Sequence, residues 1–390
     1  MDSQNLKPID LSGIINIALF YLCLLNLGFF IDLKITKLPY IPLFGIFILV
    51  LIYKIRYINF KKNKWYILLS IVITISLLRI EIPYYFSNIL FVLIFALQIG
   101  YLNIANKATI IRSKVGKLLN TALVLTLFLS ILHVFFGSGK KGWIWPINIA
   151  LQEITLLGLL YSKILLYGLK RSIPYLLFFL VLVLFRESGK ATFLSVLIGV
   201  YLIRGNFKVR NRLRFQNKIF HLIFIVQIGV VFLSTWLNSY LNTLPVENIL
   251  NYYLNRRLAL INDGWEYLVQ NVKYFLIGGG FDVNNYFEQH PNITFKNAPQ
   301  LFILTSGVFG GVLFTISLIL SLSSMYKEKI RLNPNRNAVI LLSYFISLAT
   351  INTFHEYINN PFLFFSISMV LISYNSRNES SKSVNNYSNL

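Results

Sequence analysis

The chain has a single cysteine, Cys23, and is poor in acid, with 14 Asp and Glu against 36 Lys and Arg in 390 residues. One cysteine excludes an intramolecular disulfide framework and any cysteine-rich metal site. Charged residues of both signs make up 13%, about half the ~25% of an ordinary soluble domain. That density cannot coat a water-facing surface of this size. There is no Walker loop, no DxD-type acidic pair and no GxSxG element, so nucleotide-dependent and serine-hydrolase chemistries have no foothold. The four histidines, His133, His221, His290 and His355, share no ligand-like spacing, which argues against a zinc site.

What the chain has in abundance is apolar length. It is 56% hydrophobic and 16% aromatic, with a mean hydropathy of +0.64. Runs near 20 residues are long enough to cross the ~30 Å hydrocarbon core of a bilayer as helices. Twelve such spans are expected, at 11–31, 38–53, 65–80, 83–104, 117–136, 145–168, 172–185, 191–203, 219–237, 297–322, 337–353 and 361–374. Residues 172–203 read either as two short spans or as one broken hairpin. The first span follows Asp2, Lys7 and Asp10 without a small-residue cleavage site, so it reads as an uncleaved anchor. The fold class is therefore all-α, a polytopic membrane helix bundle forming a single domain over 1–374. A Ser- and Asn-rich tail at 375–390 reads as disordered and cytoplasmic.

The net charge of +22 follows the loops. With both termini cytoplasmic, 24 Lys and Arg fall inside and 11 outside, Lys163 lying within a span. Acidic residues invert this, four inside and nine outside, with Glu153 in a span. This is the positive-inside pattern of a multi-pass protein of a cytoplasmic membrane. Charge scattered between apolar runs is also a poor footprint for nucleic acid, so the lipid bilayer is the partner expected from composition.

One outer segment, about 238–296, is far longer than the other outer loops. Within it Leu254, Leu258, Ile261, Trp265, Leu268 and Val272 recur at spacings of 4, 3, 4, 3 and 4. That is one face of an amphipathic helix, lying on the membrane or on the bundle. Arg256, Asp263, Glu266 and Gln270 take the opposite side, with Arg257 near the apolar edge. The helix gives way to IGGGF at 277–281, where glycines allow positive φ and close backbone approach.

A second outer cationic pair, Arg186 and Lys190, sits in the turn FRESGK. Basic residues at a membrane edge are costly unless paired or bound to a polar ligand. Glu187 offers the local pair for one cluster, and Asp263 or Glu266 for Arg256 and Arg257, so both readings stay open on position alone. His290 and His355 are outer residues suited to acid or base work. Glu153, an intramembrane carboxylate, is a functional candidate by default. Lys163 is ten residues further along, about 15 Å on a helix, and too distant to pair with it.

In order and spacing these parts resemble the O-antigen polymerase and ligase superfamily, the Wzy-type polysaccharide polymerases and their ligase relatives. The segments that carry the resemblance are FRESGKATFLSVLIG (185–199), RRLALINDGWEYL (256–268), YFLIGGGFD (274–282) and KNAPQLFILTSGVFGGVLF (296–314). The resemblance implies a glycosyltransferase that is nucleotide-independent and needs no cofactor. It would move an O-antigen, capsule or exopolysaccharide chain from undecaprenyl diphosphate onto a lipid-linked repeat unit, on the outer side of the bacterial cytoplasmic membrane. Its implied partners are the undecaprenyl diphosphate-linked oligosaccharide, a chain-length regulator and a flippase. By matching motifs, Arg186 or Lys190 and Arg256 or Arg257 would hold the diphosphate, with Arg257 ranked ahead of Arg256. Ligases carry a His-Asn pair before the glycine-rich span, where this chain has Lys296-Asn297. His290, six residues earlier, is the substitute candidate for the base. A ligase-type transferase and a flippase or transporter are the alternatives. The flippase would account for Glu153 and Lys163 but not for the long outer loop.

Overall fold

The computed structural model describes residues 149–184, 190–204, 208–243, 249–270, 272–278, 298–332, 334–352 and 361–387, with scattered positions between 102 and 131. Over these residues the chain is all-α, 96% helical and without a strand. Apart from Leu102, the first four expected spans lie outside the described residues.

The helices are α1 Ile149–Tyr167, α2 Leu169–Leu184, α3 Lys190–Arg204, α4 Val209–Phe232, α5 Ser234–Asn242, α6 Ile249–Gln270, α7 Val272–Ile277, α8 Ala298–Leu332, α9 Arg336–Asn352 and α10 Pro361–Tyr387. The expected apolar runs from residue 145 onward fall on these helices, 172–203 forming two of them, and the run 219–237 is divided at Leu233 between α4 and α5. Val209–Phe232 and Ser306–Arg331, 24 and 26 residues with mean hydropathies of 1.5 and 2.0, are long and apolar enough to cross a membrane. At ~1.5 Å per residue they reach about 36 and 39 Å.

Several boundaries differ from expectation: α8 runs to Leu332, past the expected end at 322, and α4 and α10 extend at their polar ends. Helix α4 starts at Val209, ahead of the apolar run at 219–237, because Arg and Lys are good helix formers and nothing interrupts the basic stretch. Helix α10 continues past Asn375 to Tyr387, where composition alone reads as a disordered tail. The first residues of that stretch are tied down. Asn375 Nδ2 donates to the Asn106 carbonyl at 3.0 Å, Arg377 Nη1 to the Leu166 carbonyl at 3.2 Å, and Asn378 Oδ1 accepts from Asn335 and Asn337, each at 3.1 Å.

Packing is dense along α1 with α10, and along α9 with α3 and α4. The crossings are made by small and hydroxylic side chains. A Cβ on Gly158 would meet Ser366 Oγ at 2.2 Å and its Cα at 2.9 Å, so α1 and α10 approach backbone to backbone. Tyr161 Oη and Ser347 Oγ share a 2.8 Å hydrogen bond, and Ser347 Oγ donates to the Ser195 carbonyl at 2.9 Å. Tyr344 and Ser366 pair at 2.7 Å, and Gln216 Nε2 reaches Ser343 Oγ at 2.8 Å. Small residues and interhelical hydrogen bonds are how helices associate where lipid removes the hydrophobic drive between them. Between these crossings the helices bury large apolar side chains such as Phe179, Phe220, Leu341 and Phe345, while others, among them Leu177, Leu222, Ile225, Trp236 and Phe309, face outward.

Helix ends are closed locally. Gly168, at φ 85°, follows α1 and donates its N–H to the Ile164 carbonyl at 2.8 Å, a left-handed cap. Arg212 Nη1 donates to the Ile203 carbonyl at the end of α3, at 2.9 Å.

Candidate functional site

The expected outer helix forms as α6. Its apolar face buries Leu258, Ile261 and Leu268, at 6%, 0% and 0% exposure. Trp265 is half-buried between Phe232 of α4, ring centroids 5.0 Å apart, and Phe275 of α7, 5.7 Å apart. The helix therefore packs on the bundle, against α4, α5, α7 and α8. Val272 departs from the expected face: it opens α7 and is 62% exposed. The chain leaves α7 through Gly278 at φ 80°, a left-handed conformation that a side chain disfavours. This is the first glycine of the IGGGF run. The other two lie outside the described residues.

Helix α8 holds the feature that sequence reading missed. It is broken at Gly307, whose φ of 72° and ψ of 173° belong to a region open essentially to glycine. In an unbroken helix Ile303 and Gly311 would stand about 12 Å apart. Here a Cβ on Gly311 would lie 2.5 Å from the Ile303 nitrogen and 2.6 Å from its Cα. The chain thus doubles back at Gly307, and residues 298–306 form a short arm folded against the start of the long one. Such irregular backbone is tolerated at membrane depth where protein encloses it. The sequence signal was present in TSGVFGG, but three glycines in a span read equally well as small-residue packing.

The folded-back arm is joined to the outer helix. Gln300, fully buried, donates from Nε2 to the Ile261 carbonyl at 2.6 Å. Arg257 stands one helical turn before Ile261 and Arg256 five residues before it. Two of the candidate cations thus lie on the helix that the arm grips. On the same helix Glu266 Oε1 accepts from Asn262 Nδ2 at 2.7 Å. Partial burial, and secondarily the Glu266 carboxylate, hold the Asp263 carboxyl above its usual range.

Lys190 is the first residue of α3, which packs on α9 and α2. Among the principal helix contacts, α3 reaches α6 through α9 and then α4 or α8. Arg186 and His290 lie outside the described residues, as do His133 and His355. His221 Nδ1 is 2.7 Å from the Asn217 carbonyl of its own helix, a local contact. Two residues beyond Lys190, Thr192 donates from Oγ1 to Glu153 Oε2 at 2.6 Å. Lys163 donates to Asn120 Oδ1 at 2.8 Å and stands 3.3 Å from the centroid of the Tyr175 ring. Glu153 and Lys163 thus have separate partners from distant parts of the chain, in keeping with their spacing.

Among the described residues no group of three His, Cys, Asp or Glu could hold a metal ion. No family model, curated protein or solved structure matches the chain.

Proposed function

We propose that this chain is a polysaccharide polymerase of twelve membrane spans with both termini cytoplasmic. It transfers a glycan from undecaprenyl diphosphate to a lipid-linked repeat unit at the outer face of a bacterial cytoplasmic membrane. The observation that carries the reading is the α6 assembly, an amphipathic helix bearing Arg256 and Arg257, docked by its apolar face and gripped through Gln300 by a folded-back arm. That arrangement suits a rigid platform for a diphosphate headgroup emerging from the membrane.

The reaction needs little else from the protein. An acceptor hydroxyl oxygen attacks the anomeric carbon, and the bond from that carbon to the diphosphate oxygen breaks. The electron pair leaves with undecaprenyl diphosphate, and the hydroxyl proton passes to a base. Arginine serves the leaving group because its guanidinium matches phosphate oxygens in a bidentate fork. Arg186 or Lys190 would supply the second contact, and His290 is the candidate base. A flippase or transporter is the alternative that Glu153 and Lys163 would suit, but it gives no role to the long outer segment.

The test is polymer formation in membranes supplied with purified lipid-linked repeats. Arg257→Ala should slow transfer at least about tenfold, since a hydrogen bond to a charged group is worth about 1.5–3 kcal/mol. Arg257→Lys should restore only part. Wild-type rates in the alanine variants of Arg186, Lys190, Arg256 and Arg257 alike would place the diphosphate elsewhere.

A further inference from the structure

The other end of α8 carries a cavity that the proposed reaction does not use. It is an open concavity of about 510 Å³ between the start of α4 and the end of α8. Arg210 and Arg214 line it from α4, and Lys327 and Arg331 from α8. Each pair is spaced i, i+4, so both of its cations fall on one helix face. Like charges at that spacing cost a few tenths of a kcal/mol, and here two such faces are turned toward each other. The lining contains no acidic residue, and among the described residues no ion pair is formed by any of the four. The faces are held together across the cavity, where Tyr326 Oη donates to Asn217 Oδ1 at 2.6 Å. Tyr326 is itself locked edge-on against Phe220, centroids 5.2 Å apart.

General positive charge at the cytoplasmic edge of a bundle does not require this arrangement. It is satisfied by cations spread around the rim, such as Lys170 and Arg171 on α2; the four here are equally exposed but line one concavity from two facing helices. Four cations converging on one concavity, with the Asn217 amide at its wall, match the oxygens of a phosphate group. Further along α4, Leu222 and Ile225 are 56% and 67% exposed, an apolar lane leading away from the cations. We propose that this cavity is a phosphate-binding site, filled by the headgroup of an anionic phospholipid whose acyl chains lie along α4. The proposal is independent of glycan transfer, which concerns the opposite end of α8.

The experiment uses the full chain, purified in a neutral detergent and delipidated. Its thermal unfolding is followed while phosphatidylglycerol, phosphatidylcholine or inorganic phosphate is titrated. Phosphatidylglycerol should stabilise saturably and phosphatidylcholine should not. R214Q/K327Q should weaken the apparent affinity at least about tenfold, equal to about 1.4 kcal/mol. The charge-retaining R214K/K327R and the distant K170Q/R171Q should stay within about twofold of wild type. R331Q, a single substitution, is the second variant should the double one misfold, and should weaken affinity several-fold. Saturable stabilisation by inorganic phosphate, lost in the same variants, would support the site with a soluble source of the phosphate. Equal weakening by R214Q/K327Q and K170Q/R171Q would overturn the proposal in favour of diffuse surface charge. So would the absence of saturable stabilisation by either anion.

Discussion

At the residue scale the glycines divide by what surrounds them. Gly229 sits inside α4 with nothing within 4 Å of an added Cβ, so alanine there gains helix propensity and restricts the unfolded chain, about 0.4–1 kcal/mol in favour of folding. Gly307 and Gly311 are the opposite case. One needs a backbone region closed to side chains, and the other has no room beside the Ile303 backbone. Alanine at either should cost about 1–3 kcal/mol, through strain at Gly307 and overpacking at Gly311. Thermal unfolding in detergent checks the set, with Gly229→Ala raising the midpoint and the other two lowering it. Equal effects at all three positions would mean that the chain does not fold back at Gly307. Lys329 illustrates a residue whose role is read from contacts alone. Its ammonium donates to the Asn106 carbonyl at 2.8 Å and to Asn375 Oδ1 at 2.6 Å, stitching α8 to α10.

At the element scale the amphipathic helix α6 is the part on which sequence and structure agree best. A 4-3-4-3-4 apolar spacing survives any change of neighbours, because it is a property of 3.6-residue periodicity. Where that face docks is a separate matter. Trp265 meets Phe232 and Phe275, so the helix is held by aromatic contacts to the bundle. Trp265→Glu should put a charge among those rings and detach α6 while the rest of the chain still inserts. The expected readout is membrane-inserted protein with lost polymer formation and faster proteolysis within 249–270. A variant with normal chain length and wild-type protease resistance would show that the helix is not held by this face. Gln300→Ala removes the bond to the Ile261 carbonyl and should cost about 0.5–1.5 kcal/mol, read as a lowered unfolding midpoint.

At the scale of the whole molecule, the charge asymmetry between expected inner and outer loops makes orientation the property to measure. A reporter fused after Leu390 should be active only inside the cell, and one inserted near residue 245 only outside. The reverse pattern would exchange the two faces and remove the proposed diphosphate site from the outer side. Deleting the gene and displaying surface glycan on a gel tests the proposed role directly. Single exported repeats without long chains are expected. Long carrier-bound chains would indicate a ligase, and no exported repeat a flippase.

The amino-acid sequence by itself determined that the described part of the chain is helical, which apolar stretches from residue 145 onward form helices and which face of α6 is apolar, because these depend on composition and local period. It also placed Glu153 and Lys163 too far apart to pair, a consequence of helical rise alone. Only the tertiary structure decided the fold-back at Gly307, the grip of Gln300 on α6, the extension of α10 beyond Asn375 and the convergence of Arg210, Arg214, Lys327 and Arg331 on one cavity. Each of these joins residues far apart in the chain or relies on a backbone conformation that glycine permits without requiring. Local periodicity carries no information about such choices, which are settled when buried polar groups find their partners across helices.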